Sequence, residues 1–442
     1  MTTSSLQPKN AKLKDAYVSL VTTAQDMLIR SQGADIAETF AALVRSGTYS
    51  DFARELKQDI VIGPKLGKAI TADGFPSSSL SDTQIAAAVL SHVQFFREAM
   101  ASNPDDVYRQ FEDAFHTEQV TVRANAPIHF LTPTFDEMQL DASVRIRRLI
   151  IPESDLFLIR TIWAKPFGDL TPSLLFDATW KLRIRFPSNM LAVDWRIPTV
   201  GTISLTKLVF YLRLLGFWAF DIPSLVVYPL ALGVPLGFQS FFHQPSPLRR
   251  AQLLERKDAF ELQQFWRLTG KFFGDEMPSW LHTALNRVNM ACLREDPRDG
   301  LLDLVIALEA LLQCEGGLEI GYRLRKRGGT IMGLGEPKSR LPETVAFAES
   351  TIKRAYKIRS AIVHGERRNH SGEEIEALNL ALFDLIRSLS IKLTGLGIIG
   401  VQQKNLLEDF IDESMTSPPM RNVLEKRLCD SGLLDFLGDR AK

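Results

Sequence analysis

Apolar positions across residues 10–116 recur at three- and four-residue steps: Ala16, Val18, Leu20, Val21, Met27 and Leu28, then Ile85, Ala88, Val89, His92, Val93 and Phe96. This spacing predicts helices whose faces pack on a core, punctuated at Gly33, Gly47, Gly63-Pro64 and the serines of 77–79. From about residue 118 the period shifts toward two. Val120-Thr-Val-Arg, Val144-Arg-Ile-Arg-Arg-Leu-Ile-Ile, Leu156-Phe-Leu-Ile-Arg and Trp180-Lys-Leu-Arg-Ile-Arg-Phe alternate apolar with basic residues, as strands with one wet face do. Strand-like pieces continue through 199–238, and 249–277 reads as a helical connector.

From about 279 the helical period returns. Ser279 can cap a helix running to about Leu293. The segment 301–312 is apolar nearly all round and reads as the centre of a bundle. The stretch Tyr322-Arg-Leu-Arg-Lys-Arg-Gly-Gly reads as a loop. Pro342-Glu343 opens a helix that reaches His364, where Gly365 supplies a stop. Ser371 with Glu374 forms a capping box for a helix running to about Thr394. The pattern predicts an α+β protein with an N-terminal helical region (1–117), a β-rich α+β region (118–278) and a C-terminal helical bundle (279–442).

Composition narrows this only partly. With 442 residues and 45% hydrophobic content, the chain can bury two or three sizeable cores. Its formal net charge is zero, so attraction to a nucleic acid must come from local positive charge. The three cysteines, Cys292, Cys314 and Cys429, form no CxxC pair, which fits a reducing, cytoplasmic setting. The N-terminus has no apolar core of a signal peptide. The uncharged segment 222–248 carries Pro223, Pro229 and Pro235, which break helices and so point to buried strands and turns and away from a membrane partner.

Local charge singles out one region. Residues 321–368 hold twelve Lys/Arg against four Glu, the place where a phosphate backbone would be drawn. Arg323, Arg325, Lys326, Arg327, Lys353, Lys357, Arg367 and Arg368 are its candidate RNA contacts. Three Arg–His pairs have four to six residues between them: Arg109–His116, Arg123–His129 and Arg359–His364. The first lies beside Glu112 and Asp113, and the second flanks Pro127, which argues for a turn. Only the third lies where positive charge concentrates. An arginine can grip a phosphate and a histidine can move a proton, the two functions that RNA cleavage without a metal requires. On a helix the two residues would lie about 140° and about 7.5 Å apart, able to line one groove but not to stack on one face.

A plainer reading stands beside it, in which His364 caps the last carbonyls and Arg359 pairs with Glu366 or Glu309. Glu309 can orient Arg359, neighbour Tyr322-Arg323, or face solvent. Tyr356 can stack on a base or simply pack. The arginines at 145, 147, 183 and 185 can form a ladder toward nucleic acid, but a solvated face accounts for them better. Gly328-Gly-Thr-Ile-Met-Gly-Leu-Gly has the glycine content of a phosphate loop without its Gly-Lys-Ser/Thr ending, and reads as a flexible loop. There is no HExxH, no Gly-x-Ser-x-Gly elbow and no Rossmann fingerprint, so neither a metal site nor a cofactor is expected.

Three ordered blocks, Leu302-Asp-Leu-Val-Ile-Ala-Leu-Glu-Ala-Leu-Leu, Ile320-Gly-Tyr-Arg-Leu-Arg and Ala355-Tyr-Lys-Ile-Arg-Ser-Ala-Ile-Val-His-Gly, resemble the Apea-like branch of the HEPN superfamily (higher eukaryotes and prokaryotes nucleotide-binding domains) over about 281–400. The resemblance implies an all-helical HEPN bundle that forms a homodimer, bringing two Arg-x4-6-His motifs into one composite site. For active members it implies metal-independent endoribonuclease activity, often in anti-phage abortive infection with a phage-derived trigger. Carried over, Arg359 and His364 become the catalytic pair; read from the sequence itself, Ser360, Tyr356 and Glu309 stand beside them as supporting residues. Ser360 stands where active members often carry Asn, Asp or His.

Overall fold

A computed structural model of the chain describes residues 10–30, 42–59, 119–148, 174–183, 197–222, 224–229, 237–240, 252–270, 272–273, 277–312, 319–365, 370–398 and 410–437, with isolated positions around Tyr108. Its elements, in chain order, begin with α1 (Ala11–Arg30), α2 (Gly47–Gln58), β1 (Gln119–Ile128), β2 (Leu131–Pro133), β3 (Glu137–Gln139), β4 (Val144–Arg148) and β5 (Leu174–Arg183). There follow α3 (Ile197–Leu214), β6 (Ser224–Pro229), β7 (Gly237–Ser240), β8 (Gln252–Leu254), α4 (Arg256–Thr269), α5 (Ser279–Leu293) and α6 (Pro297–Leu312). The chain continues with α7 (Ile320–Gly333), α8 (Leu341–Val363), α9 (Gly372–Ile398) and α10 (Pro418–Asp430). The fold is α+β: mostly helix, with a small antiparallel sheet.

Two compact units divide the chain. The first gathers Met1–His129, Ser143–Ser204 and Ile222–Gln244; the second gathers Phe130–Ala142, Leu205–Asp221 and Pro245–Lys442. In the first, Ser46 caps α2 by accepting from the Tyr49 N–H, and Tyr17 of α1 packs edge-on against Phe52 of α2. Its strands run in the order β4-β5-β1-β6-β7, all antiparallel, with β1 and β5 paired from Gln119↔Arg183 to Ile128↔Leu174.

Strand β1 passes straight through Pro127, where a turn was expected. The β6 pairing covers only Val122–Asn125, so the missing proline N–H falls beyond that ladder. The arginine ladder of β4 is not a solvated face either. Arg145 donates from Nε (2.9 Å) and Nη2 (2.7 Å) to Oδ2 of Asp177, its cross-strand neighbour, and Asp177 is buried. The side chain of Arg183, all of Arg185 and the helical stretch expected around Ile85–Phe96 lie outside the described residues. Within 222–248 the described pieces are strands β6 and β7, with Leu225 buried, as the prolines implied. Among the described residues no helix is long and apolar enough to cross a membrane.

The second unit carries the helical bundle. Leu301, Leu304, Val305, Ala307, Leu308, Leu311 and Leu312 of α6 are buried, as its nearly continuous apolar sequence predicts. Helix α6 packs against α5 and α9, and α7 against α8. Buried charges tie the bundle together. Asp303 accepts from Arg287 (2.9 Å) and Arg294 (2.8 Å), and Lys392 donates to the carbonyls of Met332 and Leu334 at the end of α7.

Three readings of local structure change. Residues 197–214 form helix α3, not strands. The β-branched and aromatic residues of Ile203-Ser-Leu-Thr-Lys-Leu-Val-Phe-Tyr favour strand locally, but burial of Leu205, Leu208, Tyr211 and Leu215 follows helical steps. The helical connector is preceded by a short strand, β8, which pairs in parallel with β2. The glycine-rich stretch after Tyr322 is helix α7, and its glycines are where α8 approaches. A Cβ at Gly328 would lie 2.5 Å from Ile352 Cδ1, and one at Gly333 2.8 Å from Leu341 Cδ1.

Candidate functional site

Helix α8 begins at Leu341, with Pro342 in its first turn, and ends as its sequence predicts: His364 is the C-cap and Gly365 takes φ +77°, a left-handed stop. Ala348, Thr351, Ile352, Ala355 and Ile358 form its buried face. Lys353, Tyr356, Lys357, Ser360 and His364 follow one another at helical spacing on the opposite side. Lys353, Lys357 and His364 are exposed there, and Tyr356 and Ser360 are half-buried. Arg359 falls on the side of the buried face, seven residues on from Ile352 and four from Ala355; it is half-buried there and about 140° from His364 at about 100° per residue. Its guanidinium sits 5.8 Å from the centre of the Tyr356 ring.

Helix α7 lies alongside. Glu319 precedes it in a left-handed conformation (φ +88°), and Tyr322 is half exposed. Arg325 donates from Nε to the Gly321 carbonyl (3.2 Å) and sits 5.7 Å from the Tyr322 ring centre. Gly321 leaves room for Tyr356: a Cβ at that position would stand 3.3 Å from Tyr356 Cδ1. Between the helices runs a groove of about 550 Å³, lined by Glu319 just before α7, by Ile320, Gly321, Tyr322 and Arg325 of α7 and by Lys353, Tyr356 and Lys357 of α8.

The basic residues divide into two groups. Among the described residues no carboxylate pairs with Arg323, Lys353, Lys357, Arg359 or His364. Lys326, by contrast, is held by Glu349 (2.8 Å), whose hydrogen bond raises the lysine's pKa above its ordinary value. Arg327 is turned inward. It is 6% exposed, bonds Asp412 through Nε (2.9 Å) and Nη2 (2.7 Å) and reaches the Leu312 carbonyl, so it is a buried tie and not a surface contact for RNA. Arg367, Arg368 and Glu366 lie outside the described residues. Glu309 is half-buried on α6, and among the described residues no ion pair joins it to Arg359.

Sequence reasoning missed the groove itself, since it depends on Gly321 letting Tyr356 settle against α7. The recurrence of a tyrosine three residues before an arginine, Tyr322–Arg325 and Tyr356–Arg359, was its available signal. It also missed a neighbouring cluster in which Glu374 accepts from Arg354 (2.6 Å) and lies 3.3 Å from His370 Nδ1. The Arg354 hydrogen bond, then that of His370, holds the Glu374 carboxyl below its usual range.

No family model, curated protein or solved structure matches this chain. The chemistry therefore rests on the side chains. Two aromatic rings offer faces to a base, the unpaired cations attract phosphate, and an exposed imidazole at the end of the same helix can exchange a proton.

Proposed function

We propose that the C-terminal bundle is a HEPN-type endoribonuclease acting as a homodimer, an anti-phage effector whose N-terminal part recognises the trigger. The observation that carries this reading is the stripe of Lys353, Tyr356, Lys357, Ser360 and His364, unpaired by described carboxylates and ending in an exposed imidazole, with the half-buried Arg359 5.8 Å from the Tyr356 ring. In the proposed reaction one His364 takes the proton from a ribose 2′-hydroxyl. The 2′-oxygen attacks the adjacent phosphorus, the bond from phosphorus to the 5′-oxygen breaks, and the partner subunit's His364 protonates the leaving oxygen. Arg359 holds the phosphate and steadies the charge on its oxygens. The products are a 2′,3′-cyclic phosphate and a free 5′-hydroxyl, and DNA is left intact for want of the 2′-hydroxyl.

One observation favours a second reading, a module that binds RNA or a nucleotide without cutting it. Within a single chain Arg359 and His364 diverge around the helix, so one subunit alone does not present them side by side. Both readings are tested by incubating purified protein with total RNA in EDTA, beside Arg359→Ala and His364→Ala. The nuclease reading expects cleavage by wild type and a loss of at least about 100-fold in each variant, the scale on which a general acid–base group contributes. Binding without cleavage, weakened by Arg359→Ala, selects the binding module and overturns the nuclease.

A further inference from the structure

We infer that the groove between α7 and α8 is a subsite for one unstacked nucleotide of single-stranded RNA, with Tyr322 and Tyr356 as platforms for its base and Lys353 and Lys357 as contacts for its phosphates. The inference rests on the proposed reading of the bundle as RNA-directed, and adds which form of RNA it takes and where that RNA sits.

Tyr322 is 51% exposed on the groove wall. Each tyrosine is accompanied by an arginine, Arg325 at 5.7 Å and Arg359 at 5.8 Å from the ring centres. A tyrosine ring flanked by a guanidinium is the kind of surface on which a base stacks, because any base offers a π-face to it. The absence of a side chain at Gly321 lets the Tyr356 ring lie close against α7, beside the groove. The charges complete the ligand's description. Lys353 and Lys357 stand one turn apart on the groove wall and, among the described residues, pair with no carboxylate. Glu319 is the one acid among the residues lining it. A volume of about 550 Å³ is that of a small-molecule pocket and admits a nucleotide.

A duplex keeps its bases paired and stacked, out of reach of both rings, so the ligand is a single strand or a splayed loop. His364 lies about 12 Å along α8 from Tyr356, at about 1.5 Å per residue, so the stacked nucleotide is a neighbour of the phosphodiester that His364 meets and not the one cleaved. The groove thus sets register: it holds one base so that a bond further along the strand arrives at the end of the helix.

The test uses the full chain and a fluorescent single-stranded RNA with 2′-O-methyl groups throughout, which cannot undergo attack by the 2′-oxygen. Anisotropy is read for this probe, for its duplex and for competition by AMP. Tyr322→Ala and Tyr356→Ala should each weaken single-strand binding about tenfold, Tyr322→Trp should restore it, and the duplex should bind no better than the single strand does to Tyr322→Ala. Tyr322 is the cleaner position, since its side chain is exposed and its replacement leaves the core intact. Wild-type affinity in both alanine variants, or equal affinity for single strand and duplex, overturns the subsite. AMP binding with no RNA binding also overturns it, by identifying a free nucleotide as the ligand. Because the probe cannot be cut, tyrosine-dependent binding by a protein that cleaves nothing would defeat the nuclease reading alone. Cleavage that survives both tyrosine changes would defeat this subsite alone.

Discussion

At the scale of single residues, some helix ends were legible and the fates of buried charges were not: Ser279 is the first residue of α5 and not its cap, which is Pro278, and α9 runs on through Gly395 to Ile398. Gly365, Pro342 and the Ser371 hydroxyl act through their own backbone or a neighbour within three positions and are found as the sequence implies, Ser371 Oγ accepting from the Glu374 N–H at 3.1 Å. The Glu374 half of the expected capping box is not, because its carboxylate is engaged by Arg354 and His370. Arg327 looked like its basic neighbours, but its partner Asp412 lies 85 positions away, and no local pattern announces that pairing. His129 presents a similar case and a measurable consequence. It is 4% exposed at the end of β1, and burial brings its pKa down to about 4. A folded-state value below the unfolded one means that the unfolded chain takes up a proton first as the pH falls. The stabilisation by neutral His129 is therefore complete above about pH 6.5 and is lost as the pH drops toward 4. Urea unfolding followed at pH 7.5 and pH 5 should show this residue's share as a loss of about 2 kcal/mol, absent in His129→Gln. An identical slope in wild type and variant would contradict it.

At the scale of elements, the helices of the bundle were read correctly where an apolar stripe declares itself, as in α6 and α8. Helix α7 was missed because half of its buried residues are glycines, Gly328, Gly329 and Gly333 beside Leu324, Arg327 and Ile331, and glycine carries no hydrophobic signal and suggests a loop. Gly328 and Gly333 are instead contact points, small because α8 lies against them. Helix α3 was misread for the opposite reason, since its β-branched and aromatic residues suit a strand until tertiary burial decides. Two substitutions separate a packing glycine from a merely permissive one. Gly328→Val should lower stability by about 1–3 kcal/mol through collision with Ile352. Gly372→Ala, with nothing within 4 Å of the added carbon, should raise it by about 0.4–1 kcal/mol. Thermal unfolding of the two variants beside wild type reads both signs, and a stabilised Gly328→Val would remove the close-packing account of α7.

At the scale of the whole molecule, charge marked out a neighbourhood but could not sort its members. The sequence placed a basic region at 321–368; the fold turns Arg327 inward, ties Lys326 to Glu349 and leaves Lys353, Lys357 and His364 on one exposed stripe of α8. Nor was the division of the chain linear, because 130–142 and 205–221 join the unit that carries the bundle, and such long-range membership leaves no mark on local periodicity. The proposed nuclease depends on two copies meeting so that divergent groups on one helix are complemented by those on another. Its most direct test is to map RNA 3′ ends in cells expressing the full chain or its His364→Ala variant under the same induction. New 2′,3′-cyclic phosphate ends in unpaired RNA, present with wild type and absent with the variant, are the predicted result; the same set of ends from both proteins would contradict it.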